Sequence, residues 1–254
     1  MSTQSERVAR EAEIWDGQTL QRGVYDATLS HANGGPARDR RDVFVRDVAL
    51  TVAGLDVLEI GTHSWEATLK RFGVVPRRLV CINISQTELE EGRVRAEEFG
   101  YPAEFQLMDA HRLEFPDASF DFVFGVAILH HLDFPTAMAE ITRVLRPGGR
   151  ILFVEPLRLN PAAQLVRALT PKARTPDEKP LGREELDLLA QHFAPEHLYS
   201  ELFHVPAAVL SKFVFKEPVN WLTKAADGLD QALLKLLPGI GKYYRTITVY
   251  GRKK

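Results

Sequence analysis

Adjacent histidines, His130 and His131, follow an apolar segment near the middle of the chain. A neutral imidazole is the natural general base near pH 7, so either ring could take the proton of an attacking hydroxyl or phenol. His63, His111 and His204 follow other apolar segments, and each of the five could instead cap or pack. No two of them have the local spacing of a metal-binding pair, so we predict no metal site.

A single glycine, Gly61, ends the apolar run Val57–Ile60 and opens a turn that is otherwise poor in glycine. Glycine at such a turn lets backbone N–H groups approach a ligand carboxylate without interference from a Cβ atom. The next residues include His63 and Trp65, whose side chains are bulky. They predict either a shifted backbone or a side chain of this turn that takes part in a site.

Apolar runs alternate with helix-like segments between residues 55 and 157, which predicts right-handed βαβ units and a parallel sheet. Strands are predicted over 55–60, 78–84, 103–107, 120–126 and 150–154. Helices are predicted over 65–72, 85–99 and 135–145, with Ser85 as an N-cap. Ligands of such sheets bind beyond the carboxyl ends of the strands, so the residues that follow the strands should converge there.

The two ends of the chain have a different character. Residues 1–50 are helical in pattern, and they form either two packing helices or a lid that brings Trp15, Tyr25 and His31 near the ligand. Beyond residue 157 we predict helices over 160–170 and 184–193, a sixth strand over 197–205 and a last strand over 246–250. The segment 206–245 carries an apolar stripe flanked by lysines. We interpret this segment as a core-facing helix pair, as a pocket for an acceptor substrate, or as a surface that contacts a membrane.

The central segments resemble, in order and spacing, the motifs of class I S-adenosylmethionine-dependent methyltransferases over about residues 55–157. Glu59-Ile60-Gly61 matches the first motif, although His63 and Trp65 stand where the family has further glycines. Asn83 stands where the family has an acid after the second strand. The remaining matches are Met108-Asp109-Ala110, Phe120–Val126 with Leu129–Leu132, and Val144–Arg150.

The resemblance implies a Rossmann-like, mostly parallel seven-stranded sheet with helices on both faces, a helical lid and a helical insertion before the last strand. It also implies S-adenosylmethionine as the cofactor. Gly61, with Glu59, Thr62 and His63 beside it, would hold the methionine end of that cofactor. We divide the chain into 1–50 (lid), 51–157 (cofactor-binding core) and 158–254 (C-terminal part with the insertion).

The adenosine end of the cofactor would meet the next two strands. By the same resemblance, Asn83 would bind the ribose hydroxyls and Ile84 would offer an apolar face to the adenine. Asp109 would accept a hydrogen bond from the adenine amine, and the Ala110 amide would donate one to a ring nitrogen. Val126 would lie beside the sulfonium carbon.

Composition narrows the function further. The 254 residues are 45% hydrophobic with a formal net charge of −2, which argues against a nucleic-acid binder. No apolar run approaches the roughly 18 residues of a membrane span, and Cys81 lies in an apolar run, as expected of a buried thiol in a reducing compartment. We therefore expect a cytoplasmic protein.

The function that these observations favour is methyl transfer to a small or lipid-like acceptor, at oxygen rather than at carbon or nitrogen, in a biosynthetic pathway. His130 or His131 would be the base. Two alternatives stay open: the fold serves a cyclisation or rearrangement instead, or a degenerate member binds a ligand without turnover. Peripheral contact with a membrane would suit a lipid-like acceptor, and the sequence leaves the oligomeric state undetermined.

Overall fold

The computed structural model describes residues 3–17, 20 and 23–254, in which a seven-stranded sheet is flanked by helices; residues 1, 2, 18, 19, 21 and 22 of the predicted lid lie outside this range. The strands are β1 (Asp56–Ile60), β2 (Arg78–Asn83), β3 (Glu104–Leu107), β4 (Phe120–Val126), β5 (Leu145–Pro156), β6 (Phe193–Ser200) and β7 (Thr246–Lys253). Their order is β3-β2-β1-β4-β5-β7-β6. Only β7 runs antiparallel to its neighbours, so the predicted mostly parallel sheet is confirmed.

The helices in this part of the chain cover both faces of the sheet and its carboxyl edge. They are α1 (Gln4–Asp16), α2 (Gly23–Thr28), α3 (Ser30–Asn33), α4 (Pro36–Ala49), α5 (Ser64–Thr68), α6 (Gln86–Glu98), α7 (Phe134–Val144), α8 (Pro161–Leu169), α9 (Arg183–His192), α10 (His204–Ser211) and α11 (Trp221–Leu236). None of them is long and apolar enough to cross a membrane. The predicted cap is present, since the Ser85 hydroxyl accepts from the Glu88 amide at the start of α6.

Alternation along the strands divides the core into two layers. In β1, Leu58 and Ile60 face the layer that holds Met138 and Ile141 of α7, whereas Val57 faces the layer beneath α4 and α6. Both layers are fully buried, as expected of strands that carry continuous apolar runs. The sheet is therefore rigid at the positions from which the site residues emerge.

The predicted bounds of the fifth and sixth strands are wrong. The sixth strand begins at Phe193 rather than at residue 197. It ends at Ser200 rather than at residue 205, because the Asp230 carboxylate of α11 accepts from the amides of Leu202, Phe203 and His204 and starts α10 there. The fifth strand begins at Leu145, and Pro147-Gly148-Gly149 forms an irregularity where it pairs with β4.

His204 consequently does not leave a strand toward the ligand edge. It is the first residue of α10 and is fully buried, and its Nδ1 lies 3.3 Å from the Thr223 carbonyl oxygen. Its role is to pack α10 against α11.

Candidate active site

Two adjoining cavities lie where the strands end at the carboxyl edge of the sheet. The first cavity, of about 230 Å³, is bounded by the residues that follow β1, β2, β3 and β4 and by one face of α1. The second cavity, of about 260 Å³, lies beside the ends of β4 and β5. Trp15, Val126, Ala127 and His131 line both cavities and form the junction between them.

Eight of the nine residues predicted to bind the cofactor line the first cavity: Gly61, Thr62, His63, Asn83, Ile84, Asp109, Ala110 and Val126. The ninth, Glu59, is fully buried beneath the turn that follows β1. Its carboxylate accepts from the Ser64 amide at 2.6 Å and from the Cys81 thiol at 3.1 Å. Burial raises the pKa of Glu59 to about 7. Glu59 therefore holds the turn instead of lining the cavity.

The two bulky residues of this turn, Trp65 and His63, each have a partner outside the cavity. Trp65 is 1% exposed, stacks on Tyr101 with ring centroids 5.0 Å apart and donates to the Thr62 carbonyl at 3.2 Å. The imidazole of His63 borders the cavity and pairs with the Glu88 carboxylate, which raises the pKa of His63. The turn is thus held in place by the contacts of Trp65 and by the pairing of His63 with Glu88 of α6.

The side chains after β2 and β3 are held by local hydrogen bonds. The Asn83 amide group accepts from the Ser85 amide at 3.1 Å. His111 donates from Nδ1 to Asp109 at 2.6 Å and accepts from the Asp133 amide at Nε2, so both of its ring nitrogens have partners. Burial acts to raise the pKa of Asp109, but the hydrogen bonds from His111 outweigh it and the pKa is lowered.

His111 is therefore a structural link in this arrangement. The bonds from His111 go to the Oδ1 atom of Asp109, which leaves Oδ2 of the same carboxylate for a ligand.

The adjacent histidines both reach a cavity, but in different ways. His130 is 7% exposed and lines the second cavity, while His131 lines both. The Nδ1 atom of His130 lies 2.8 Å from the Glu155 carboxylate, which also accepts from the amides of Ile128 and Leu129 at 2.9 and 2.8 Å. Because an ionised carboxylate only accepts, Nδ1 carries the proton and Nε2 is left to the cavity.

Helix α1 supplies several site residues, of which only Trp15 was predicted from the sequence. Glu11 is 3% exposed, and its Oε2 atom lies 3.3 Å from Nδ1 of His131, whereas Oε1 has no hydrogen-bond partner among the described residues. Arg7, Val8 and Trp15 line the first cavity beside it. The only signal in the sequence was helical spacing, which places Val8, Glu11 and Trp15 on one face.

Of the residues that were expected near a ligand, some line a cavity and one does not. Tyr25 lines the second cavity, as does Trp15. His31 lines neither cavity, because it is buried with its Nδ1 atom 2.8 Å from the Ser211 hydroxyl. Of the insertion 206–245, only Arg245 lines the second cavity.

Charged residues are concentrated in the second cavity. Its lining contains Arg41, Arg167, Arg174, Arg245 and Glu178, and none of these was predicted as a site residue. Glu178 also lies near His130 and His131, with one ligand atom from each within 4.8 Å of the others. The same carboxylate pairs with Arg167 at 2.6 Å and with Arg174 at 3.4 Å.

Residues 58–153 match a protein family described as a methyltransferase domain. The chain is 32% identical over 123 residues to O-methyltransferase cnsE of Penicillium expansum, which covers 45% of this chain and 44% of that protein. It is 32% identical over 149 residues to 27-O-demethylrifamycin SV methyltransferase of Amycolatopsis mediterranei, with 55% and 51% covered. A ubiquinone/menaquinone biosynthesis C-methyltransferase of Hahella chejuensis is 35% identical over 117 residues, with 44% and 47% covered. The chain thus spans about half the length of these relatives.

Solved structures share the fold at lower identity. Geranyl diphosphate C-methyltransferase from Streptomyces coelicolor A3(2) superposes with a TM-score of 0.59 at 14% identity, covering 85% of this chain and 79% of that one. The [4+2]-cyclase SpnF superposes with a TM-score of 0.55 at 21% identity, covering 85% and 80%.

Proposed function

Because the chain contains a class I methyltransferase domain, whose methyl donor is S-adenosylmethionine, we propose that it transfers a methyl group to the hydroxyl of a small or lipid-like acceptor. The observation that carries the proposal is the junction at Val126, Ala127 and His131, where a cavity lined by the cofactor motifs opens to a cavity lined by His130. A donor and an acceptor held in the two cavities would meet there, and transfer from a sulfonium depends chiefly on such positioning.

The polar groups that line the first cavity suit this cofactor. The amides of Thr62, His63 and Ala110 make no hydrogen bond within the described part of the chain, so they are free to donate to a ligand. The Oδ2 atom of Asp109 is available for the adenine amine. The unpartnered Oε1 atom of Glu11 suits the cationic methionine end, since a buried carboxylate oxygen without a partner is costly.

Calorimetry with S-adenosylhomocysteine tests this assignment. Asp109→Asn keeps an oxygen for His111 but turns an amide N–H₂ group toward the adenine amine. We expect binding to weaken about tenfold, because one hydrogen bond of about 1.4 kcal/mol is lost. Asp117→Asn, at an aspartate whose side chain is 78% exposed, is the matched control. Absence of binding to the unmodified protein at millimolar ligand would refute the assignment.

His130 is the residue that we assign as general base. Its Nδ1 atom is held by Glu155, and Glu155 is held by two backbone amides, so the ring has one orientation and one tautomer. His131 would contribute by closing the junction, where it packs against Trp15 with ring centroids 5.7 Å apart. When an acceptor has been identified, His130→Gln should lower kcat by about 10²-fold or more. His131→Gln should change KM more than kcat.

The choice of oxygen as the methylated atom draws on the relatives. Two of them are O-methyltransferases by name, while the third is a C-methyltransferase. A histidine base favours oxygen, because a hydroxyl must lose its proton on methylation. Nuclear magnetic resonance of the methylated product distinguishes O-methyl from C-methyl directly, and a C-methyl signal would overturn this part of the proposal.

An exposed apolar surface supports a lipid-like acceptor. Phe213, Trp221 and Leu236 of the insertion are 81%, 69% and 77% exposed. A core-facing helix pair is one of the three interpretations of this segment. In α11 the fully buried residues are Thr223 and Asp230, and Leu234 is partly buried against the core. Exposed lysines occur in the same segment of the chain: Lys212, Lys216, Lys224, Lys235 and Lys242. Exposed apolar side chains together with lysines suit the surface of an anionic membrane.

Sedimentation with vesicles tests the membrane contact. The protein should bind vesicles that contain phosphatidylglycerol more strongly than vesicles of phosphatidylcholine alone. Phe213→Ser combined with Trp221→Ser should weaken binding, whereas Val94→Ser, at a valine of α6 that is 44% exposed, should not. Equal binding by the double variant would show that this surface does not meet the bilayer.

A cyclisation or rearrangement is the second candidate, since the fold is shared with a [4+2]-cyclase. The two functions differ in the fate of the cofactor. Methyl transfer yields one S-adenosylhomocysteine per product, whereas cyclisation consumes no cofactor. A non-catalytic role would be favoured only if neither product formed and replacing His130 and His131 left the cellular role intact.

A further inference from the structure

We propose that the second cavity binds its acceptor through an anionic oxygen group, a carboxylate or a phosphate, which contacts Arg41 and Arg174. This inference rests on the proposed function, because it names the chemical class of the acceptor that lies beside the cofactor. The inference rests on two observations. Four arginines line one cavity, and the carboxylates near them are already paired with other groups.

Among these four arginines, Arg41 is the one whose guanidinium group is available to a ligand. It makes no hydrogen bond and no ion pair with any described residue, although it lines the cavity and is half-buried. Burial lowers the pKa of Arg41, which reflects the cost of holding this charge away from water. The charges of Glu201 and Asp42 act to raise that pKa, but Glu201 is paired with Arg245 at 2.9 Å and Asp42 with Arg71 at 2.7 Å.

Arg174 shares its counter-charge with another arginine. It and Arg167 both pair with Glu178, so two cations have one carboxylate between them. Burial lowers the pKa of Arg174, and the charge of Arg167 lowers it further. An additional anion at this position would therefore be stabilised by charge-assisted hydrogen bonds, for which guanidinium groups have matching geometry.

The other carboxylates of the lining do not remove this imbalance. Glu155 is 1% exposed and accepts from two amides and His130, so it is engaged behind the cavity wall. Asp26 is exposed to solvent, which screens its charge. The Thr246 hydroxyl, which also lines the cavity, is buried without a hydrogen-bond partner among the described residues, and it adds a neutral donor for the same anion.

A divalent metal at His130, His131 and Glu178 is the competing occupant. The three ligand atoms are close enough, but Glu178 already pairs with Arg167 and Arg174. A metal ion would have to displace these guanidinium groups or bind beside them. The repulsion between like charges in a partly buried site disfavours the metal and favours the anion.

Calorimetry with simple anions tests the proposal on the full chain saturated with S-adenosylhomocysteine. Inorganic diphosphate and benzoate are titrated in a phosphate-free buffer of low ionic strength. We expect saturable binding of at least one, weakened tenfold or more by Arg41→Gln and by Arg174→Gln and partly restored by Arg41→Lys. Stronger binding of diphosphate indicates a phosphate-bearing acceptor, and stronger binding of benzoate indicates a carboxylate.

The control is Arg112→Gln, which removes one exposed positive charge outside the cavity and should leave anion binding unchanged. Equal loss in this variant, or the same weak binding by all proteins, would overturn the proposal. Tight binding of Mn²⁺ that His131→Ala abolishes, without anion binding, would assign the cavity to a metal instead. Failure of the proposed function has a separate signature, because S-adenosylhomocysteine would then not bind the unmodified protein.

Discussion

Replacement of Glu59 by glutamine should remove a large part of the dependence of stability on pH. Glu59 is fully buried, and its hydrogen-bond donors are the amide and the side chain of Ser64 and the Cys81 thiol. None of these donors carries a charge, so burial dominates and raises the pKa of Glu59 from 4.5 to about 7. Glutamine has the same shape, can accept from the same amide and does not ionise.

The sign and size of the effect follow from linkage. Between pH 4.5 and 7 the folded protein holds a proton on Glu59 that the unfolded chain has released. The contribution to stability is therefore complete below about pH 4.5 and is lost as the pH rises to about 7. The folded and unfolded pKa values differ by about 2.5, which corresponds to about 3 kcal/mol.

Urea denaturation at intervals between pH 4.5 and 8 measures this directly. We expect the difference in unfolding free energy between Glu59→Gln and the unmodified protein to shift by about 3 kcal/mol in favour of the variant across this range. Glu90→Gln, at a glutamate whose side chain is 58% exposed, should show no such shift. If the Glu59→Gln and unmodified curves stayed parallel, the buried carboxylate would not titrate in this range and the account of the turn would be wrong.

Two further predictions concern the junction of the cavities. Gly125→Ala should destabilise the protein by about 1–3 kcal/mol in urea denaturation, because its Cβ atom would lie 2.8 Å from the Ile60 carbonyl oxygen; Gly228→Ala, which meets no atom within 4 Å, should be neutral or stabilising. Glu155→Gln should lower kcat by about 10²-fold or more, because its amide nitrogen would face Nδ1 of His130 and move the ring proton to Nε2; unchanged kcat with unchanged affinity for S-adenosylhomocysteine would show that His130 is not the base.

The cofactor side of the site could be predicted because each of its parts is local in the sequence. An apolar run fixes a strand, and the residue that follows the strand necessarily lies at the carboxyl edge of a parallel sheet. Gly61, Asn83, Asp109 and Val126 end or follow such strands, and the resemblance to class I methyltransferases names them as cofactor-binding residues; all four line the first cavity. Glu59 is named in the same way but lies behind the turn, because position along a strand does not show whether a side chain faces a cavity or supports it.

The second cavity could not be predicted because its residues come from distant places. Arg41 lies in α4, Arg174 lies in the connector after α8 and Arg245 precedes the last strand. Arginine is usually exposed, so nothing local distinguishes these from the arginines on the surface. The end of the sixth strand was missed for the same reason, since Asp230 sets it from a helix that starts 20 residues later.

The glycine-poor turn after β1 shows which part of a motif the backbone requires. Gly61 has a φ of 103°, which side chains rarely adopt, so this glycine is needed for the conformation. His63 has a φ of −119° and Trp65 lies in α5, and both conformations are open to any residue. Their side chains then strengthen the turn, since His63 pairs with Glu88 and Trp65 bonds to the Thr62 carbonyl. The departure from the family therefore changes what holds the turn in place, while the amides of Thr62 and His63 stay available to a ligand.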